Sequence, residues 1–241
     1  MTPTHPPAPR ARPPRSRARP RPRLALLAAA GAAIWAAACA LPPPGATCEA
    51  GASARRCAFG AGPVRLGPDR VAIPGKPHPY SPLLSTVTFR DGRGRDWTAP
   101  GATLTDGASI PPVFVPLLGD PRSDTFLAAA ALHDAQCGAG NEALPQFKAR
   151  SWEATHRMFY DALLAGGTEP RKAKVMFAAV YLAGPRWDDP ARSLDGVPEA
   201  RLIAEMEACL RFIEAEDPGL PALEAWMRDR EAAMIAEADA G

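Results

Sequence analysis

Residues 120–134, DPRSDTFLAAAALHD, mark the point at which this chain changes period. Upstream, short runs alternate apolar and polar; downstream, apolar residues recur at helical spacing. Asp120-Pro121 opens a helix, with proline suited to the first turn. Phe126, Leu127, the four alanines 128–131 and Leu132 give that helix apolar residues all round, which predicts burial. It carries His133-Asp134 at its polar end and stops near Gly138. An ionisable pair on a buried helix must find partners.

Before this point the reading is β. Val64-Arg65-Leu66 and Val71-Ala72-Ile73 are brief alternating runs, and residues 84–89, LSTVTF, make the strongest strand. Asp91-Gly92 signals a hairpin, with residues 96–99, DWTA, returning. After it, helices are predicted around 147–164, from Pro170 to Gly184, from Pro198 and from Asp217-Pro218. The last carries many charges, which predicts a surface position. The fold class is therefore α+β: a small N-terminal antiparallel sheet packed on a bundle of about five helices. One globular domain is expected over 63–241, with β structure in 63–104 and helices in 120–241.

The 62 residues before that domain read differently. Residues 1–23 are Pro/Arg-rich, hold seven arginines and no acid, and are expected to be disordered. Removing those seven from 28 Lys and Arg leaves 21 against 26 Asp and Glu, so the formal charge of +2 belongs to the leader. A nucleic-acid partner is thereby disfavoured, because the basic footprint is absent from the folded part. Residues 24–40, LALLAAAGAAIWAAACA, are 17 uncharged residues, between the length of a signal core and that of a spanning helix. Three fates are open: cleavage after Ala38-Cys39-Ala40, lipidation at Cys39, or retention as an anchor. Each predicts export, and lipidation or retention also predicts a membrane tether on the periplasmic or extracellular face, which is the expected arrangement. Residues 41–62 read as a flexible tether.

Five cysteines fit this picture. Lipidating Cys39 leaves four, an even number suited to an oxidising compartment. Cys48 and Cys57 are close enough to close a small loop; Cys137 and Cys209 then either pair across the helices or remain buried thiols.

Two features carry chemical interest. One is the polar loop Thr105-Asp106-Gly107-Ala108-Ser109-Ile110-Pro111-Pro112; the other is His133-Asp134. Short connections make successive helices antiparallel neighbours, which places His156 of the second helix opposite the pair. Tyr160 and Trp152, four residues to either side, share its face. If these groups act together, the two imidazoles must lie within about 10 Å, since catalytic partners need hydrogen-bond reach or one bridging water. The same residues also have structural readings: Asp106 and Ser109 as caps, His133 as a satisfied core histidine, His156 as an outward-facing residue.

The string TDGASIP, the HD pair about 20 residues on, a helix of the form F-Y-x-A-L, and Val180, Tyr181 and Gly184-Pro185-Arg186-Trp187 beyond it resemble domain-of-unknown-function family 1353, of phage and prophage type. The resemblance spans roughly 95–187 and departs at His156, where that family usually has Asp. It implies a fold group and no activity. The helix pair also resembles that of secreted phospholipase A2. That likeness implies His133 as the base that activates water, Asp134 as a ligand of calcium, and the loop bearing Asp106, Gly107 and Ser109 as the rest of the site, with Tyr160 beside it; His156 stands where that enzyme has a carboxylate. Two imidazoles and a carboxylate, His133, His156 and Asp134, also suit zinc with an open position, with Cys137 one turn from His133. The expected function is a His/Asp-based, metal-assisted hydrolase. The rival is a non-enzymatic envelope or phage-derived module in which the same residues form a structural network.

Overall fold

The computed structural model describes residues 45–49, 56–107 and 123–239, all within one unit, 41–241. The leader, the 24–40 segment, Cys39 and residues 108–122, including Ser109, lie outside the described residues.

The hairpin forms where alternation predicts it. Strand β3 (Val87–Arg90) buries Val87 and Phe89 and exposes Thr88 and Arg90; β4 (Asp96–Ala99) buries Trp97 and Ala99. They pair antiparallel with Phe89 opposite Trp97, so two large apolar side chains share one face. The turn between them is organised by Asp91, which is fully buried. Its carboxylate accepts from the Arg93 and Arg95 backbone N–H groups at 2.9 Å, from Arg95 Nε at 2.8 Å and from Trp97 Nε1 at 2.9 Å. Strand β1 (Ala58–Phe59) adds to the free edge of β3, and β2 (Ser81–Pro82) pairs with β5 (Leu104–Thr105) in a second small sheet. The runs at 64–66 and 71–73 contribute single bridges, Leu66 to Leu83 and Val71 to Tyr80, in place of strands.

Residues 45–49 and 56–59, expected within a tether, are part of this fold. A disulfide joins Cys48 to Cys57. Cys48 N donates to Asp161 Oδ1 at 2.7 Å and Gly92 N to Asp161 Oδ2 at 3.0 Å, so one helical carboxylate holds two distant segments. Position 92 requires glycine, because a Cβ there would come within 2.7 Å of the Thr47 carbonyl carbon. Glu49 is gripped by Lys174 Nζ at 3.1 Å and accepts from the Tyr160 hydroxyl at 3.0 Å.

Five helices follow: α1 (Asp124–Cys137), α2 (Trp152–Ala165), α3 (Pro170–Ala183), α4 (Glu199–Glu216) and α5 (Leu220–Asp239). A 3-10 turn, Pro190–Arg192, lies between α3 and α4. The α2 start differs from expectation. Residues 147–150 are turn, and the helix begins after Ser151, whose Oγ accepts from Ala154 N. Glu169 caps α3 by accepting from Arg171 and Lys172 N–H, ahead of Pro170. Ala129, Ala130, Ala131 and Ala135 of α1 are buried almost without remainder, and their small side chains let α1 lie between the sheets and α2. α5 is not a purely surface helix: Leu220, Leu223, Met227 and Met234 are core residues, and Glu231 is buried with them, while most of its other charged residues are exposed.

Candidate functional site

The apolar filling of α1 ends one turn before its C-terminus, and there the polar residues collect. Asn141, in the turn after α1, locks this end in place. Its Nδ2 donates to the Asp134 carbonyl at 3.0 Å and to the Leu104 carbonyl at 2.8 Å, and its Oδ1 accepts from Leu104 N at 2.9 Å. The last turn of α1 is thereby bound to β5.

A cavity of about 180 Å³ opens against this turn. Its walls are mostly apolar: Tyr80 from the β region, Ala130 of α1, Phe159 of α2, Met176 and Val180 of α3. Its polar lining is His133, Asp134 and Cys137, with Gly107 of the conspicuous loop and Lys76 nearby. His133 Nδ1 lies 3.9 Å from Asp134 Oδ1. Cys137 Sγ lies 3.5 Å from His133 Nε2 and 3.8 Å from Nδ1. Asp134 is only 6% exposed, and its Oδ2 has no hydrogen-bond partner among the described residues. Leaving such an atom unmatched costs about 1–3 kcal/mol, more when charged.

His133 and His156 do meet. Their ring centroids are 5.4 Å apart with a 33° tilt. α1 and α2 pack against each other as expected, although the connection between them, residues 138–151, is longer than the sequence suggested. Their roles diverge, however. His156 is completely buried, edge-on to Trp152 at 5.3 Å, and neither of its nitrogens has a partner among the described residues. Burial, the neighbouring His133 and the charge of Arg186 hold its pKa well below that of an ordinary histidine, so it is neutral. Gly184 makes room for it: a Cβ at 184 would lie 2.7 Å from His156 Cε1 and 2.9 Å from Nε2. For His133, burial opposes the charged form, but the Cys137 sulfur and the Asp134 carboxylate outweigh it and raise the pKa. Burial raises the Asp134 pKa, against the pull of His133 and of a hydrogen bond from Thr105.

Several expected site residues are placed elsewhere. Tyr160 is outside the cavity wall; its hydroxyl serves Glu49 and its ring lies edge-on to Phe177. A metal centre of His133, Asp134 and His156 is not formed: among the described residues no group of three or more His, Cys, Asp or Glu side chains is arranged to hold an ion. The reason is packing, since the two imidazoles lie ring against ring. A Cys137–Cys209 bridge is not made either, and both are free thiols. Cys209 is buried on α4, whereas Cys137 faces the cavity. Asp106 sits near enough to Asp134 to disfavour its charge, and Gly107, at φ 96°, turns the chain into the cavity wall.

Asn141 and Gly184 shape the site and Asp161 anchors segments away from it, and the sequence reading gave none of them these parts. Gly184-Pro185 was visible as a helix stop and within the family-like string. Asn141 was one polar residue in a loop. Asp161 interrupts the apolar tail of α2, which is the one signal that could have flagged it.

The comparisons with known proteins give likenesses and no activity. Residues 82–180 match the DUF1353 family model. The description of that family is a protein of unknown function, and its span takes in the hairpin, β5, α1, α2 and most of α3. Two uncharacterized proteins of Sinorhizobium fredii are similar to this chain. One, y4iH, is 42% identical over 117 residues, covering 48% of this chain and 45% of its own length. The other, y4jT, is 36% identical over 126 residues, covering 52% of this chain and 35% of its own. The chain therefore spans less than half the length of each. No solved structure matches. The DUF1353 segment holds His133, Asp134, Cys137 and His156, while Cys48, Cys57 and the last two helices lie beyond it.

Proposed function

We propose that this protein is an exported hydrolase that cleaves a small, largely apolar ester, with His133 as the general base and Asp134 as its orienting carboxylate. One observation carries the reading: a buried His–Asp pair, with a carboxylate oxygen left unpartnered among the described residues, lies at the polar end of an otherwise apolar 180 Å³ cavity. Stability alone does not favour such a pair, and perturbed titratable groups lining a concave apolar site are a signature of chemistry. The apolar walls would take the acyl part, and the cluster would receive the carbonyl end. Lys76, on the same lining, brings a positive charge to the cavity.

The Cys48–Cys57 disulfide supports an oxidising compartment, and the basic leader before the 24–40 segment supports membrane insertion. Among the described residues no helix is long and apolar enough to cross a membrane, so the 24–40 segment is the proposed point of attachment.

The test is hydrolysis of short-chain p-nitrophenyl esters by the full chain and by His133→Gln. The expected loss in kcat/KM is about 10²–10⁴-fold, with the melting temperature held. A wild type inert towards every ester in the series would overturn the reading. So would a variant whose activity falls only as far as its folded fraction does.

A further inference from the structure

The structure also holds a nucleophile for which the general-base reading has no use. We infer that Cys137 is the attacking group of this site and that hydrolysis passes through an acyl thioester on its sulfur. The inference rests on the hydrolase reading and names the step within it.

Two free thiols occur among the described residues, and the fold treats them in opposite ways. Cys209 is fully enclosed, and burial pushes its thiol up to about 12, which leaves it unreactive at neutral pH. Cys137 is partly exposed and lines the cavity. Its Sγ stands one helical turn from His133, 3.5 Å from Nε2, and also 3.5 Å from the His133 carbonyl oxygen, which accepts the resting S–H as a helix back-bond. Asp134 Oδ1 lies 3.9 Å from His133 Nδ1, on the other side of the same imidazole's donor set. Thiol, imidazole and carboxylate therefore follow one another along a single turn of α1, held by Asn141 and facing a space that could admit a substrate. The Asp134 Oδ2 on that same wall, buried and without a partner among the described residues, is the independent sign that the cluster faces a ligand.

The chemistry balances without any added reagent. His133 holds the Cys137 proton while the sulfur attacks the ester carbonyl carbon and an S–C bond forms. The tetrahedral intermediate collapses with cleavage of the C–O bond, and the departing alkoxide takes the proton from His133 and leaves as an alcohol. Water then attacks the thioester while His133 accepts its proton. The S–C bond breaks, the proton returns to sulfur, and a carboxylic acid is released. Nothing is oxidised or reduced.

Two independent arms test this on the full chain. In the first, iodoacetamide at neutral pH, followed by peptide mass analysis, is expected to alkylate Cys137 faster than glutathione by about ten-fold, and His133→Gln should remove that advantage. An ordinary rate, or one that His133→Gln leaves unchanged, overturns the proposal. In the second, p-nitrophenyl butyrate followed by acid quench should leave a butyryl group on the Cys137 peptide, and Cys137→Ala and Cys137→Ser should both abolish turnover while keeping the wild-type melting temperature. If Cys137→Ala keeps full turnover and His133→Gln loses it, direct attack by water stands and the thiol nucleophile falls. If no ester is turned over but Cys137 shows the His133-dependent alkylation, the nucleophile stands and the choice of ester as substrate falls.

Discussion

Two buried polar clusters meet at Trp152, and they are built on opposite principles. In one, Glu231 of α5 sits between Arg186 Nη1 at 2.8 Å and Arg192 Nε at 2.6 Å, and accepts the Tyr181 hydroxyl at 2.5 Å. Arg192 reaches on to Glu153 at 2.8 Å, and both guanidinium groups lie over the Trp152 ring. Every charge there meets its opposite, and only Arg186 Nε lacks an acceptor among the described residues. In the other, His156 packs against the same Trp152 ring and leads to His133, Asp134 and Cys137, where a carboxylate oxygen and two imidazole nitrogens have no partner among the described residues. The first cluster lies away from the cavity and ties α5 to α3 and to the 3-10 turn; the second borders the cavity. A network whose charges are matched holds the fold together, and one with atoms unmatched among the described residues, beside a space, is suited to a ligand.

The comparison breaks most visibly at Glu231. Glu231→Gln leaves Arg186 and Arg192 without their shared counter-charge in a dry site, and the expected loss is about 3–5 kcal/mol, read as a lower urea midpoint. A loss near zero would mean that the completed cluster is not what holds α5.

Asp161 belongs to neither class and sharpens the distinction. It accepts two backbone N–H groups, yet burial, with the nearby Asp91 charge adding to it, pushes its pKa up to about 6 from an ordinary 3.8. The folded chain then holds that proton more tightly than the unfolded chain. The stability this contributes is fully present below the unfolded pKa and is lost as pH rises from about 4 through about 6. Asp161→Asn should flatten that limb of a stability-against-pH profile; an unchanged slope would remove Asp161 as its source.

The smallest effect on stability is expected at Asp134. Asp134→Asn removes a charge that no described group matches at Oδ2, so the folding free energy should change by no more than about 1 kcal/mol while ester turnover collapses. A loss as large as that of Glu231→Gln would show the cavity cluster to be structural after all.

Much of this fold could be read from the sequence, because it depends on local signals. Alternation in 84–89 with Asp91-Gly92 gave the hairpin, although its first strand begins only at Val87; the alanine run gave a buried α1, and Glu169-Pro170 gave the start of α3. The meeting of His133 with His156 was anticipated from the packing of successive helices, although the connection between them, residues 138–151, is longer than expected. Cys48 and Cys57 were near enough in sequence for their bridge to be anticipated. What escaped depends on contacts between distant segments. Nothing local shows that Glu49 is held by Lys174 and Tyr160, 125 and 111 residues away, or that Asp161 holds Cys48 and Gly92. Cys137 was misjudged for the same reason: its separation from His133 was visible, but not that a cavity lies in front of both.

Gly184 gives His156 a part that needs no proton. The space in which a side chain at 184 would stand is already filled by the imidazole, so the end of α3 and the middle of α2 are held apart by the thickness of one aromatic ring. Ala183, Gly184 and Pro185 form part of the cavity floor. The width of that chamber is therefore gauged by a residue outside its lining, much as a shim sets a gap without touching what passes through it. Positions 156 and 184 share one volume, and a larger group at either is accommodated only by a smaller one at the other.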